Sequence, residues 1–298
     1  MSDLFTATTA AQVEEALARG EDIEEERGDD STPLVSACAR GELEVVDCLL
    51  NHGAKLDHVP PGLWGPIQAA AQAGHAAIVE RLVRAGADIN SKGGDLGDTA
   101  LMLASQEGHV DVVDCLLSLG ADTEARDDTE TTPLIAACWK GRIDVVDRLL
   151  AAGCNVNAID QNESTTALMI AARHGHLSIF DRLVIHGADL SFRESSIERN
   201  ILMQAAQNGH VDVVDRILSL GFDVDTRDRL GDTALMWACA ENKIDVVRLL
   251  LDHGADKMIQ NKQGERAYHF AWNSPEIQTL LNGLILLSFH HHHHHHFP

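Results

Sequence analysis

The stretch GHVDVVDCLLSLGAD at 108–122 returns as GHVDVVDRILSLGFD at 209–223. Three of the fifteen positions differ: Cys115 against Arg216, Leu116 against Ile217 and Ala121 against Phe222. The two copies lie 101 residues apart, three steps of a shorter period. Glycine marks that period at 20, 53, 86, 120, 153, 187, 221 and 254, spaced by 33 or 34 residues throughout. Repetition on this scale restricts the chain to a stacked array. One unit is too short to bury its own apolar face, so each must pack on its neighbours.

Every unit has the same three parts. Five units open on Thr-Pro-Leu or Thr-Ala-Leu, at Thr32, Thr99, Thr132, Thr166 and Thr233. Threonine is a good helix N-cap and proline fits the first helical turn, so a short Ala-rich helix is expected next. Glycine, often Gly-His as at 74–75, 108–109, 175–176 and 209–210, ends that helix in the left-handed conformation it adopts at little cost. A second helix follows, with V-V-x-x-L-L at helical spacing. It stops at Gly-Ala-Asp or a variant, before a polar turn such as ARDDTE.

These residues, in this order and at this period, resemble the ankyrin repeat family. The resemblance spans about residues 10–280, with seven full units opening near 32, 65, 99, 132, 166, 200 and 233. AQVEEALARGEDIEE is a preceding half-unit ending at Gly20, and GERAYHFAWNSPEIQTLLNG a degenerate C-terminal one. The resemblance implies an all-α-rich solenoid of L-shaped helix pairs with projecting β-hairpins, forming one domain over 1–288 with caps at about 1–31 and 264–288. Terminal units depart from the pattern because one face has no neighbour. The Gly-His histidines are expected to support the turn between helices. Trp237 and Trp272 fall within helix patterns and are expected in the core.

Composition narrows the function. Lys and Arg total 23 against 46 Asp and Glu, a net charge of −23. No basic face is expected for nucleic acid or an anionic membrane, so neither is an expected partner. The six cysteines, at 38, 48, 115, 138, 154 and 239, show no C-x-x-C spacing. They are expected to act as small apolar residues in a reducing, cytoplasmic compartment, without zinc or disulfides. The N-terminus has no signal-peptide pattern, and no apolar run reaches the roughly 18 residues of a membrane span. The run His290–His296 has the character of an expression tag, a natural metal-binding tail being the alternative. No catalytic, nucleotide-binding or metal motif is found. Asn162-Glu163-Ser164 is a formal glycosylation sequon that a cytoplasmic protein leaves unused. Neither an enzyme nor a cofactor is expected.

The expected function is protein binding on the concave face by a monomeric scaffold, adaptor or inhibitor. The alternative is a regulatory or accessory subunit of an enzyme whose chemistry lies in another chain. Candidate contacts are positions that depart from the repeat. Trp139 and Lys140, then Arg173 and His174, occupy the two residues before the inter-helix glycine. A tryptophan there fits a binding anchor or packing on a neighbouring repeat. Trp64, in HVPPGLWGP, sits in an irregular turn stiffened by Pro60 and Pro61. Met102, Met169, Met203 and Met236 follow the first-helix leucine, where the family usually has histidine. They could adapt to a partner or pack between repeats. Arg40, Lys140, Arg173 and Arg199 interrupt the acidic field and could meet acidic groups of a partner.

Overall fold

The helix starts follow from the caps. Thr32, Thr99, Thr132, Thr166 and Thr233 are extended, and each accepts through Oγ1 a backbone N–H three residues on. Asn200 does the same with its amide oxygen, and Gly65 starts its helix while Gln68 reaches back to the Gly65 N–H. The computed structural model describes residues 2–28 and 31–283. The histidine tail and residues 284–288 of the expected C-terminal cap lie outside the described residues.

The described chain forms two compact units that meet in sequence at Asn162 and Glu163. The N-terminal unit runs α1 (Ala10–Ala18), α2 (Pro33–Arg40), α3 (Leu43–Asn51), α4 (Pro66–Ala73), α5 (Ala76–Arg84), α6 (Ala100–Glu107), α7 (Val110–Ser118), α8 (Pro133–Lys140) and α9 (Ile143–Ala151). First helices stack in the order α2, α4, α6, α8, and second helices in the order α1, α3, α5, α7, α9. The C-terminal unit runs α10 (Ala167–His174), α11 (Leu177–Ile185), α12 (Ile201–Gln207), α13 (Val211–Ser219), α14 (Ala234–Ala240), α15 (Ile244–Asp252) and α16 (Ala267–Phe270), then a helix over 275–283. It stacks the same way. The expected β-hairpins are reduced mostly to single bridges, such as Gly93 with Asp98 and Glu194 with Arg199. Their tips are joined by backbone bonds: Gly94 N–H to Leu63 O at 3.0 Å and Asp128 N–H to Leu96 O at 2.8 Å in the first unit, and Lys262 N–H to Leu230 O at 3.0 Å in the second.

Packing in both units is aliphatic. The V-V-x-x-L pattern delivers Val112, Val113 and Leu116, and their copies Val213, Val214 and Ile217, to full burial. The Ala-rich first helices bury nearly every side chain up to their last turn. Met169 and Met203 belong to this core. At 1% and 0% exposure they do not form a partner-facing line, because that slot lies between stacked helices. Trp272 departs from expectation in the other direction, with 78% of it exposed at the C-terminal cap. In the N-terminal unit, residues 3–7 form a helix-free turn: Leu4, Phe5 and Ala7 are buried, and Arg40 donates to the Ala7 carbonyl at 3.0 Å. Arg40 is therefore committed to that turn.

Three of the Gly-His histidines act between repeats rather than on their own turn. His75 Nε2 lies 3.3 Å from the Ala39 carbonyl, His109 Nε2 2.9 Å from that of Gln72, and His210 Nε2 2.6 Å from that of Arg173. Arg142 does the same to Gln106 at 3.0 Å. Each side chain thereby meets the last turn of the preceding repeat's first helix, where carbonyls lack intrahelical partners and the dipole favours donors. On the opposite side, second helices are linked by ion pairs: Asp47 with Arg81 at 2.6 Å, Asp114 with Arg148 at 3.2 Å and Asp181 with Arg216 at 3.0 Å. These pairs are partly exposed, so each contributes at most about 1 kcal/mol.

The two glycine classes therefore differ in cost. Gly120 has φ +89° and open space around it, so Gly120→Ala costs only the left-handed strain, about 1–2 kcal/mol. Gly175 has φ +72°, and a Cβ there would stand 2.4 Å from His210 Nδ1. Gly175→Ala is expected to cost about 1 kcal/mol more, through displacement of the imidazole and its hydrogen bond. In denaturant titrations that excess should vanish in the His210→Ala background, whereas the Gly120→Ala cost should not change.

Candidate partner-binding site

In the N-terminal unit the hairpin tips and the ends of the first helices enclose a groove of about 930 Å³. Phe5, Val35, Trp64 and Leu96 give it an apolar wall, and Ser31, Asp95 and Asp98 a polar one. Trp64 is half-buried and lies against the next tip, where its Nε1 would be 2.6 Å from a Cβ built on Gly94. Only glycine allows the indole to lie there. Leu96 remains 51% exposed. Arg27 closes one end but is occupied by Asp3 and Glu25, both at 2.7 Å, and by the Phe5 ring at 4.2 Å. Two polar atoms in the lining, Ser31 Oγ and Asp98 Oδ1, are buried and have no hydrogen-bond partner among the described residues. Ser31 is also held at φ +59°, a left-handed conformation strained for serine.

Stacked helix pairs, capped by threonine, closed by left-handed glycine and bearing a hairpin at each junction, form one recurring unit. The sequence pattern of ankyrin repeats (in three copies) matches residues 7–93, 67–160, 101–194, 148–228 and 202–284. The chain belongs to the ankyrin repeat family. Among solved structures it is similar to the human ASB11 ankyrin repeat domain, with 26% identity and a TM-score of 0.66, covering 72% of this chain and 96% of that one. No curated protein matches. Ankyrin repeats are general protein–protein interaction modules, typically without catalysis of their own, and membership suggests protein partners. No helix among the described residues is long and apolar enough to cross a membrane.

Asp98 is an irregular rung in the ankyrin array. The residue before each first-helix cap faces a polar side chain from the next hairpin, usually as donor to acceptor. Thr131 Oγ1 donates to Asp160 at 3.3 Å, Thr165 Oγ1 donates to Glu194 at 2.8 Å, and at 261 Asn Nδ2 donates to Asp232 at 2.8 Å. Asp98 instead faces Asp127 and Asp128. Asp127 is committed, since its Oδ1 accepts the Thr129 and Thr131 N–H groups at 2.9 and 3.0 Å. Burial first, then the neighbouring carboxylates, pushes Asp98 up to about 6.

The other sequence-predicted residues are scattered. Trp139 is half-buried and Lys140 exposed at the end of α8. In the C-terminal unit, Arg173 and Arg199 are drawn to the buried Glu194, at 3.7 and 3.4 Å, and Arg199 stands 5.5 Å over the Trp237 ring. Neither arginine is an open cation for an acidic partner. Trp237 is half-buried rather than core, because its Nε1 donates to Asp228 at 3.1 Å at the hairpin. His174 stacks on His176 at 5.9 Å, and burial pushes it below the usual imidazole range. Burial raises the thiols of Cys154 and Cys239 to about 12, which disfavours their thiolate forms.

The Asp98 rung has a pH signature. The folded chain holds its proton up to about 6, whereas the unfolded chain loses it near 3.8. Between those values the folded state binds more protons, so this contribution to stability falls as pH rises and the full penalty applies above about 6. The shift caps that penalty at about 3 kcal/mol. Asp98→Asn supplies a neutral donor toward Asp127, as Asn261 does toward Asp232. It is expected to stabilise the protein by about 1–2 kcal/mol near pH 7.5 and by almost nothing near pH 4, read from unfolding curves at both.

Proposed function

We propose that this ankyrin chain is an adaptor or scaffold whose partner lays an extended segment into the groove of the N-terminal unit. An apolar side chain packs between Trp64 and Leu96, and a neighbouring lysine or arginine reaches Asp98. The observation that carries the proposal is Asp98 itself: a carboxylate 6% exposed, with one oxygen unpartnered among the described residues, at the groove wall. A buried acid set among other carboxylates, with one oxygen unpartnered, costs stability, and such costs concentrate where a ligand supplies the missing group. Asp95, exposed beside it, extends the acidic rim. The net charge of −23 draws basic segments toward the chain and speeds encounter. Tryptophan in a concave apolar setting is the residue type most often dominant in binding energy. The reading includes a cytoplasmic monomer.

Peptide display on the full chain tests it. Selected sequences should pair a basic residue with an adjacent apolar one. Trp64→Ala should weaken them by about 2 kcal/mol or more, and Asp98→Asn should weaken them while stabilising the fold. Trp139→Ala should leave this binding within about twofold, because α8 lies outside the groove lining. Binders indifferent to Trp64 and Asp98 but lost with Trp139→Ala would move the site to the end of α8 and sink the proposal.

A further inference from the structure

The ion-pair ladder between second helices fails at its first rung. Three other rungs pair an acid on one helix with an arginine on the next: Asp47 with Arg81, Asp114 with Arg148, Asp181 with Arg216. In each of α5, α9 and α13 the arginine follows directly after an acid, as in Glu80-Arg81, Asp147-Arg148 and Asp215-Arg216. In α3 the same step reads Asp47-Cys48, so Cys48 stands in the arginine slot opposite Glu14 of α1. One turn later His52 brings its Nε2 to 3.3 Å from Glu14 Oε1. The Glu14 carboxylate, the Cys48 thiol and the His52 imidazole offer ligand atoms all within 4.8 Å of one another.

We propose that Glu14, Cys48 and His52 hold a divalent cation of the zinc type, which supplies the positive charge that Arg81, Arg148 and Arg216 supply in their rungs. The donor set is one sulfur, one nitrogen and one oxygen, which suits zinc or cobalt(II) rather than magnesium or calcium. Metal–ligand bonds of about 2.0–2.3 Å in a tetrahedron put ligand atoms roughly 3.3–3.8 Å apart. The glutamate–histidine separation already has that value, and a small rotamer adjustment of the thiol completes it. Cys48 is buried at 8%, with its S–H directed at the Ala10 carbonyl at 3.8 Å. Its proton leaves to solvent as the thiolate binds. Glu14 and His52 are 65% and 43% exposed, so solvent water completes the fourth position and metal has an open path. Glu44, the nearby acid, is engaged by the Ala10 N–H at 3.1 Å and stays outside the set. The cation would tie the capping helix α1 to α3.

The same arrangement is only half present at Cys115, which provides an internal control. It occupies the arginine slot facing Glu80, but Glu80 is taken by Arg84 at 2.7 Å, and Leu119 stands where His52 stands. Cobalt(II) titration of the reduced, metal-free full chain is the test. The histidine tail binds cobalt through nitrogen alone, so the diagnostic signal is the near-ultraviolet sulfur-to-cobalt charge-transfer band. One equivalent of that band is expected, displaced by zinc, lost in Cys48→Ser and retained in Cys115→Ser. Glu14→Gln and His52→Leu should each weaken it by more than the roughly tenfold typical of losing an outer-shell partner. Zinc should raise the unfolding temperature of the wild type more than that of His52→Leu, which carries the same tail. Circular dichroism shows whether Cys48→Ser is folded, and the other two variants decide the matter if it is not. Absence of a sulfur band in the wild type, its survival in folded Cys48→Ser, or unchanged affinity in both Glu14→Gln and His52→Leu would overturn the proposal.

Discussion

The array depends on one interlock. A glycine in the left-handed conformation ends each of α2, α4, α6, α8 and α10. At 41, 74, 108 and 175 the side chain from the start of the next repeat's second helix lies directly on it. That side chain, His75, His109, Arg142 or His210, reaches a carbonyl of the helix the glycine has just closed. One residue therefore satisfies two demands. It adopts a backbone conformation other residues find strained, and it lacks the Cβ that would displace the incoming ring. Because the donor belongs to the following repeat, closing one helix and docking the next become a single event. This is the physical content of nearest-neighbour stability in a repeat protein.

The interlock fixes spacing and orientation, and two side-chain ladders then run along the stack on either side of it. One joins hairpins through donor–acceptor pairs such as Thr165 with Glu194; the other joins second helices through pairs such as Asp114 with Arg148. Neither ladder is essential at every step, because the glycine interlock and the valine–leucine core already hold the repeats. A rung can therefore change without loss of the fold. Asp98 and Cys48 are two such changes, and in each the neighbour left behind is a carboxylate whose usual partner is missing. Both lie within the N-terminal unit.

Most of the architecture was legible in the sequence because the elements repeat. The period located the seven helix starts, and the structure caps a helix at Thr32, Gly65, Thr99, Thr132, Thr166, Asn200 and Thr233. The turn at residues 3–7 was not legible, since it is helix-free and has no copy elsewhere in the chain. The site residues were harder for a related reason. Looking for unusual residue types picks out tryptophan, methionine and arginine, but exposure depends on what stands opposite. Met169 and Met203 are unusual and buried; Arg173 and Arg199 are charged and spent on Glu194. Asp98 is an ordinary residue in an acidic chain. It becomes conspicuous only when the column Ser31, Trp64, Asp98, Thr131, Thr165, Arg199 and Asp232 is set against the hairpin residues it faces. The signal was present in the sequence, but as a mismatched pair rather than as a residue.

That distinction bears on how an ankyrin array acquires specificity. Its regular positions answer to neighbouring repeats and leave little freedom. The freedom lies at rungs where an internal partner has been given up, because a polar group without a partner inside the array is available to one outside it. The exchange has a definite sign. A donor at 98 would stabilise the stack and remove one acid from the groove wall, whereas the carboxylate weakens the stack and keeps that acid there. Trp64 fits the same account from the apolar side. It sits in the column that elsewhere holds a small or polar residue, rests on the glycine of the next tip, and turns a solvent-facing hairpin into a wall. In this chain the groove arises where the repeat rule is broken at two adjacent rungs, 64 and 98, while the glycine interlock beneath them is kept.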